Sequence, residues 1–388
     1  MYKRGILCVF MALAVIFSGF SETITVNGTA PTFRTDDPAA APHINDFNDY
    51  LESAFDGMLG DIQKMIDEAI PPGFVNSDSL LTGFGTSSVF ASHGSSMRAY
   101  ADYKFMSISI GSILGLKLPE NTINTLTSGG DLSGLMSENM TFGINPQFFS
   151  LHVGLNPSAV FEVFPKNLFL GLRLGFFGLP NLPISLDSNV SAKLNYSTFT
   201  IGLTANYQLV PSMDLAKVIK WRGVNIGSGL IFQTTKLDLT VPIEPIKSDI
   251  ADAGEPLTNL SLVITPRALL NMNVNTFTIP IEVMTAIKLS FLNIPFGIGF
   301  DIGFGKTELS IGAKAGVNIE GDNSGLLKQD KAGRLSIGIE NDSPPSAFNF
   351  KIMTGLGFTF GDKFMIDIPI TFYITDGFNL GFTLGVFF

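Results

Sequence analysis

Apolar side chains alternate with small or polar ones through the C-terminal part of the chain. In the segment from Gly377 to Phe388, one row is apolar and the other, as far as Gly385, consists of glycine, asparagine and threonine. The apolar row is Phe378, Leu380, Phe382, Leu384, Val386 and Phe388. Because successive side chains of a strand point to opposite faces, this pattern predicts a strand with one apolar face. The same pattern precedes it at Phe348–Phe360 and Phe364–Ile374, separated by short Gly/Asp turns that predict hairpins.

Alternating segments of this kind recur from about residue 96 to the C-terminus. Clear examples begin at Leu168, Phe199, Phe277 and Phe296. We predict an all-β protein, an antiparallel transmembrane β-barrel over 96–388 with about 14 strands and a range of 12 to 16, because single-chain bacterial barrels have an even count. The stretches 111–146, 178–189, 244–258 and 320–333 are predicted to be extracellular loops. A short helix is predicted from Pro211 to Trp221, with Ser212 as its N-cap.

A different period marks residues 44–70. Apolar residues recur there at spacings of three and four, including Ile44, Phe47, Leu51 and Phe55, while the opposite face is acidic. This spacing predicts an amphipathic helix that ends before Pro71 and Pro72. Two positions are open for it: a plug inside the barrel, or a periplasmic helix packed on the barrel mouth. We assign 22–95 as an N-terminal leader and amphipathic helix.

The N-terminus has the layout of a secretory signal peptide. Lys3 and Arg4 precede an apolar run from Gly5 to Phe17, and small residues follow at Gly19 and Ser21. The run is shorter than the roughly 20 residues that a membrane-spanning helix needs. We therefore predict a signal peptide at 1–21. The only cysteine, Cys8, would leave with it, so a disulfide framework or cysteine-based metal site is not expected.

Composition favours a membrane barrel over a soluble β-sandwich. The mean hydropathy is +0.33, charged residues make up 15%, and there are 35 phenylalanines. Beyond the signal peptide, however, no apolar run approaches the length of a spanning helix. Strands in which lipid-facing apolar residues alternate with small or polar ones explain how the chain can be this hydrophobic without a spanning helix. Loss of Lys3 and Arg4 changes the formal net charge from −10 to −12, which disfavours nucleic acid as a partner.

Residues that face a barrel lumen can be inferred from their position opposite the apolar row. The candidate lumen-facing residues are Arg173, Glu282, Lys288, Asp301, Glu308, Lys314, Lys351 and Asp367. Charges of both signs are common in a water-filled or plugged lumen, where they are solvated or paired. The alternative is that some of these residues form a constriction. Pro280 and Pro369 lie on the same parity inside strands, where each removes a ladder hydrogen bond and predicts a bulge or kink.

Catalytic chemistry is not expected from the sequence. The three histidines, His43, His93 and His152, accompany no nucleophile or carboxylate in a recognisable arrangement. The glycines from Gly297 to Gly305 lie within an alternating strand and precede no helix, so they do not form a dinucleotide-binding loop. We therefore expect no enzyme activity, no cofactor and no metal site.

Two resemblances to known families indicate where the protein is located and which architecture it has. The closing strand, with Phe388 at its end, resembles the C-terminal strand that bacterial outer-membrane barrels present to their insertion machinery. That resemblance implies localisation in the outer membrane of a double-membraned bacterium, with the lipid bilayer and that machinery as partners. The architecture also resembles the long-chain fatty acid transporter family, although the nearest match to its Asn-Pro-Ala motif is Asn156-Pro157-Ser158, outside the N-terminal region.

Function is then expected to be that of a channel or transporter. A glycine-rich inward face containing Met284, Ala286 and Met353 favours small solutes and suits hydrophobic ones. The alternative is a surface adhesin or structural barrel that acts through its extracellular loops.

Overall fold

The computed structural model describes residues 25–36, 41–69, 77–92, 104–119, 122, 141–187, 190–242, 245–249, 260–321, 328–361, 363–375 and 377–388. The predicted signal peptide at 1–21 and His93 lie outside the described residues. These residues include two α-helices, α1 (Ala41–Ala69) and α2 (Ser77–Ser92), and a short 3-10 helix at Pro157–Ala159. None of the described helices is both long and apolar enough to cross a bilayer.

Sixteen strands are described. They are β1 (Thr25–Thr29), β2 (Thr32–Arg34), β3 (Met106–Lys117), β4 (Gly143–Leu155), β5 (Leu168–Asp187), β6 (Val190–Val210), β7 (Met213–Ala216), β8 (Ile219–Pro242), β9 (Ile246–Asp249), β10 (Leu260–Leu289), β11 (Leu292–Gly321), β12 (Lys328–Lys331), β13 (Gly333–Ser343), β14 (Phe348–Phe360), β15 (Phe364–Tyr373) and β16 (Gly377–Phe387). Fourteen of them form one antiparallel sheet, and β2 pairs with β12. An antiparallel sheet of about 14 strands is therefore confirmed, but the barrel that closes within it has ten strands, fewer than the 12 to 16 predicted.

Ten strands of this sheet close into a ring. Their order is β11-β14-β15-β16-β3-β4-β5-β6-β8-β10, and β10 pairs back to β11 along the whole hairpin. Closure leaves the ring strands without a free edge. We call the end of the ring at Phe388 the lower end and the opposite end the upper end.

The long strands continue above the ring. β11 pairs with β14 along Leu292–Ile302 and then with β13 along Thr307–Val317, so β14 and β13 follow one another beside a single strand. β1 and β9 extend this upper sheet at its two sides. We call β1, β2, β9, β12, β13 and α1, with the parts of β8, β10 and β11 above the ring, the upper module.

α1 packs on the upper module through its apolar stripe. Ile44, Phe47 and Leu51 form a buried cluster with Phe33 of β2. Asn48 anchors the helix, because its side chain donates to the Phe33 carbonyl and accepts from the Phe33 N–H, each at 2.9 Å. The acidic face at Asp46, Asp49, Glu52 and Asp56 is exposed. The structure therefore places α1 outside the ring, and a different helix, α2, inside it.

Several local predictions differ from the structure, and the predicted loops 244–258 and 320–333 contain the short strands β9 and β12. The segment Pro211–Trp221 contains β7 and the start of β8 instead of a helix, because Met213 and Asp214 pair with Trp221 and Lys220 in a hairpin. Most of the predicted loop 178–189 is the upper part of β5, paired with β6. The predicted loop 111–146 begins with strand, since β3 continues to Lys117. In each case cross-strand pairing extends past residues whose local sequence resembles a turn.

The outer surface reverses its polarity at one height. Ile201, Phe232, Phe277 and Phe304 stand side by side on β6, β8, β10 and β11 in directly paired register. Four residues higher, a second paired row consists of Ser197, Lys236, Asn273, Glu308 and Asp342. Below this boundary the outward side chains are apolar, and above it they are polar or charged.

The inner surface reverses in the opposite sense. Below the boundary, the inward residues Gln233, Thr276, Thr278 and Thr307 are polar and buried. Above it, a buried apolar core includes Ala268, Met272, Val274, Leu309, Ile311 and Ala313. The ring thus has an apolar exterior and a polar interior at this height, whereas the upper module has the apolar interior and polar exterior of a water-soluble sheet.

Candidate functional site

The interior of the ring is occupied by α2. Its sequence, SDSLLTGFGTSSVFAS, is rich in serine, glycine and threonine, so the helix is thin enough to fit among ten strands. Residues from Thr86 to Ser92 are all buried, on every side of the helix. A helix buried all round has no polar stripe, which explains why its sequence is not amphipathic.

Glycines allow α2 to approach the wall closely. A Cβ on Gly83 would overlap the Phe142 carbonyl, and one on Gly143 would overlap the Gly83 carbonyl. Lower down, Gly115 of β3 approaches the backbone of Ser87 and Ala91 in the same way. The backbones of helix and wall meet at these places, so α2 is fitted to the lumen.

Polar groups of the wall hold α2 along its length. Thr82 bonds Ser343 at 2.8 Å, Ser88 bonds Thr276 at 2.9 Å, and the Thr86 hydroxyl accepts from the Ser346 N–H at 2.9 Å. These contacts reach both β10 and the β13–β14 side of the ring. They satisfy hydroxyl groups that would otherwise be costly to bury.

Two wall side chains cap the lower end of α2. Arg173 donates to the Ala91 carbonyl at 3.1 Å, and Asn379 donates to the Phe90 carbonyl. The last carbonyls of a helix lack intrahelical partners and carry a partial negative charge, so a cation is favourable there. The fully buried Arg173 also donates to Gln147, which in turn donates to Thr200.

A buried charge cluster lies beside this capped end. Lys351 forms ion pairs with Glu282 and, at 2.6 Å, with Asp301. Tyr373 donates to the second oxygen of Asp301 at 2.9 Å, and its ring stacks on Phe90 of α2 with centroids 3.6 Å apart. The side chains of Lys351, Glu282 and Asp301 are at most 1% exposed. The cluster therefore joins four wall residues to the helix.

An apolar layer lies below the charge cluster. Met284, Ala286, Met353, Met365 and Phe387 pack together inside the ring, on β10, β14, β15 and β16. The register places Glu282 and Lys351 opposite Gly299, and Met284 and Met353 opposite Gly297, so the layer is one step lower. We call it the methionine layer.

The sequence-predicted site residues separate into three groups. Arg173, Glu282, Asp301, Lys351 and Asp367 are buried inside the ring. Lys288 lies at its lower mouth. The structure brings Glu282 and Asp301 together around Lys351.

The prediction that Glu308 and Lys314 face the lumen is wrong, because both lie exposed on the outer face of β11 in the upper module. β11 continues unbroken from Asp301, so residues of opposite parity cannot share the inner face. Lys306 bonds Glu308 at 3.0 Å and Asp342 at 3.5 Å. The hydrogen bond from Lys306 lowers the pKa of the Glu308 carboxyl from its ordinary value.

The two prolines do not produce the expected bulges. The β10–β8 and β10–β11 registers are unchanged across Pro280, and the shift in β10 occurs between Thr285 and Ile287. Pro369 likewise lies within an unshifted register and packs against Gly355 and Gly381. Small neighbouring residues make room for the ring of Pro369, so the strand keeps its course.

Several lumen residues were not identified from the sequence. They include the residues of α2, which was not predicted to be a helix inside the lumen. They also include Gln147, Asn145, Gln233 and Tyr373 of the wall. Asn145 links two strands by donating to Thr235 at 3.0 Å and accepting from Gln233 at 2.8 Å. Their positions opposite apolar neighbours could have indicated an inward orientation, but not their contacts with α2. Among the described residues, no cluster of histidine and acidic side chains could hold a metal ion.

Solved structures show only weak similarity. The translocator domain of autotransporter NalP from Neisseria meningitidis is 9% identical, covers 73% of this chain and 87% of its own, and has a TM-score of 0.24. The Pseudomonas putida toluene transporter TodX is 8% identical with 81% and 93% coverage and a TM-score of 0.22. Omp33 from Acinetobacter baumannii is 8% identical with 74% and 100% coverage and a TM-score of 0.24. Scores this low carry no argument about this chain.

Family comparison is more informative. No curated protein matches the chain in sequence. A family model described as Lsa36-like, however, matches residues 41–388, which include α1, α2 and every strand from β3 to β16. This match, and not the expected resemblance to long-chain fatty acid transporters, assigns the family. The chain belongs to the Lsa36-like family.

Proposed function

We propose that this protein is an outer-membrane barrel whose lumen is sealed by α2 and which displays the upper module at the cell surface as a binding platform. The observation that supports this most strongly is the register-matched reversal of polarity between the row at Phe277 and the row at Asn273. The proposed role involves no enzymatic reaction.

The apolar exterior of the ring requires a nonpolar surrounding. Phe296, Ile298, Phe348 and Phe350 are each about half exposed or more, and similar residues continue around the wall. A continuous apolar surface of this extent is far larger than a soluble monomer exposes. Strands β3, β14, β15 and β16 have 10 to 13 residues, close to the 9–11 that a tilted strand needs to span a bilayer.

The orientation follows from the connections. At the lower end, β10–β11 and β14–β15 are joined by short turns, and the C-terminus lies there. The upper end carries the upper module and the long connections 118–142 and 243–259 between ring strands, whereas the longest lower connection is 156–167. Because outer-membrane barrels have short periplasmic turns and longer extracellular loops, the upper module would lie outside the cell. Recognition of β16 by the insertion machinery remains a prediction.

A binding role is favoured over an open channel because the lumen is filled. α2, the charge cluster and the methionine layer occupy successive levels inside the ring. Meanwhile, the upper module presents charged groups of both signs to solvent, among them the exposed pair Lys247–Glu320. A folded, charged surface held above the membrane suits a macromolecular partner better than a small solute.

Cysteine labelling tests the orientation in a Cys8→Ser background. We expect a membrane-impermeant maleimide to label Lys314→Cys on intact cells, because that position is exposed on the upper module. Lys363→Cys, exposed in the lower turn, should react only after the outer membrane is permeabilised. Ile298→Cys, in the apolar belt, should stay unreactive until detergent is added. Labelling of position 363 but not 314 on intact cells would invert the orientation, and labelling of 298 in membranes would contradict a lipid-facing belt.

A gated channel is the second candidate. It is favoured by one observation: α2 is not a wall strand, so its departure would leave the ten-strand ring closed. We expect the full chain in planar bilayers to show no conductance and no uptake of hydrophobic solutes, because α2 fills the lumen. A variant lacking residues 77–92 tests whether the methionine layer keeps the ring closed without α2. Regular openings of the full chain, or saturable solute uptake, would favour transport over display.

A further inference from the structure

The lower mouth of the ring contains a cavity with an unusual charge. Its volume is about 840 Å³, and among the described residues its lining includes six cationic side chains, the carboxylate side chain of Asp214 and the C-terminal residue Phe388. The cations are Lys104, Lys217, Lys220, Arg222, Lys288 and Lys363. The whole chain has 24 lysines and arginines and a net charge of −10, so a quarter of its cations line one cavity of an acidic protein.

The strand register forces some of these cations together. Lys220 of β8 and Lys288 of β10 are directly paired across the ladder. Like charges in directly opposed positions destabilise a sheet. Asp214 lies 3.9 Å from Lys220 and is 82% exposed to solvent. The adjacent Arg222 is buried, held inward by the bulge at Gly223, whose φ is 77°.

The cavity is closed on its inner side. Phe387 lines it and also belongs to the methionine layer, which separates the cavity from the charge cluster above. An ion that enters from below therefore meets an apolar barrier. The arrangement fits binding and not passage.

We infer that this basic cavity is a binding site for a ligand carrying clustered phosphate groups. Several cations around one cavity match a ligand with several negative charges, and lysine and arginine are the usual phosphate partners in proteins. The cavity volume lies within the range of small-molecule sites. The inference goes beyond the proposed display role and does not depend on it.

Two sources could supply that chemistry. One is a soluble polyphosphate compound, and the other is the headgroup of an anionic phospholipid. Exposed apolar residues at the same cavity, Leu215, Val218 and Phe388, would contact acyl chains in the lipid case. The two sources share the cationic site, so separate probes distinguish them.

The test uses the full chain folded in a nonionic detergent. Inorganic pyrophosphate is titrated by calorimetry, and phosphatidylglycerol binding is compared with phosphatidylcholine by native mass spectrometry. We expect pyrophosphate, phosphatidylglycerol or both to bind, and the Lys220→Gln/Lys288→Gln variant to weaken that binding at least tenfold. Binding of pyrophosphate indicates a soluble ligand, and selective binding of phosphatidylglycerol alone indicates a lipid.

A matched variant controls for net charge. Lys236→Gln/Lys314→Gln removes two exposed lysines of the upper module and should leave binding unchanged. Without ligand, Lys220→Gln/Lys288→Gln should unfold at nearly the same temperature as the unchanged protein, because both side chains are partly exposed and the strand pairing is kept. The inference is overturned if neither probe binds, if both variants weaken binding equally, or if the cavity variant loses binding together with thermal stability.

Discussion

Replacing Lys351 with methionine is expected to lower the free energy of unfolding by about 3–5 kcal/mol, a range typical of breaking a buried ion pair from one side. Lys351 is the shared partner of Glu282 and Asp301, and all three side chains are at most 1% exposed. The variant would leave two carboxylates close together inside the ring without a counter-charge. The physical cost is the desolvation of those charges, which the lysine offsets in the native protein.

Urea unfolding of the detergent-folded protein measures this loss. A triple variant, Glu282→Gln/Asp301→Asn/Lys351→Met, removes the charges together and should recover most of the stability, because a neutralised cluster has no buried charge to compensate. Lys314→Met on the exposed face of β11 is the matched single control and should change stability by less than about 0.5 kcal/mol. An unchanged midpoint for Lys351→Met would show that the charge cluster does not contribute to stability.

Replacing Gly83 with valine is expected to release α2 from the ring. A side chain at this position would overlap the backbone of Phe142, which cannot move aside as a flexible side chain could. Overpacking of this kind costs roughly 1–3 kcal/mol. Because α2 is a separate segment, its displacement can relieve the overlap while the ring remains paired.

Chymotrypsin reports the position of α2, because Phe84 and Phe90 lie within it. We expect cleavage at these residues in Gly83→Val under conditions that leave the wild-type helix intact. Gly316→Val is the matched control, since no atom lies within 4 Å of a Cβ at that exposed strand position. Equal resistance of both variants would contradict a close fit between α2 and the wall.

The predicted strands depended on a property that is local in sequence. Alternation over segments such as Phe364–Tyr373 and Gly377–Phe387 is imposed by the two faces of the ring, so it could be recognised without knowledge of the pairing. The amphipathic stripe of α1 was recognisable for the same reason. Its apolar residues face one surface, the upper module.

α2 and the upper module show where local patterns are insufficient. α2 is buried on all sides, so its sequence has no periodic contrast to identify it as a helix. In β11, the apolar parity changes between Phe304 and Leu309, and from the sequence alone this change indicates a turn between two strands. The strand is continuous. Its outer face is apolar in the ring, whereas its inner face is apolar in the upper module. That misinterpretation placed Glu308 and Lys314 on the wrong face.

The sequence by itself determined the class of fold, because each strand records in its alternation that one face is apolar and the other is not. It also determined a helix with one apolar stripe before the strands. Only the tertiary structure decided which helix fills the ring, which charges meet in the lumen, and that six cations share the lower mouth. Those outcomes depend on register and on contacts between residues far apart in the chain, which have no local signature.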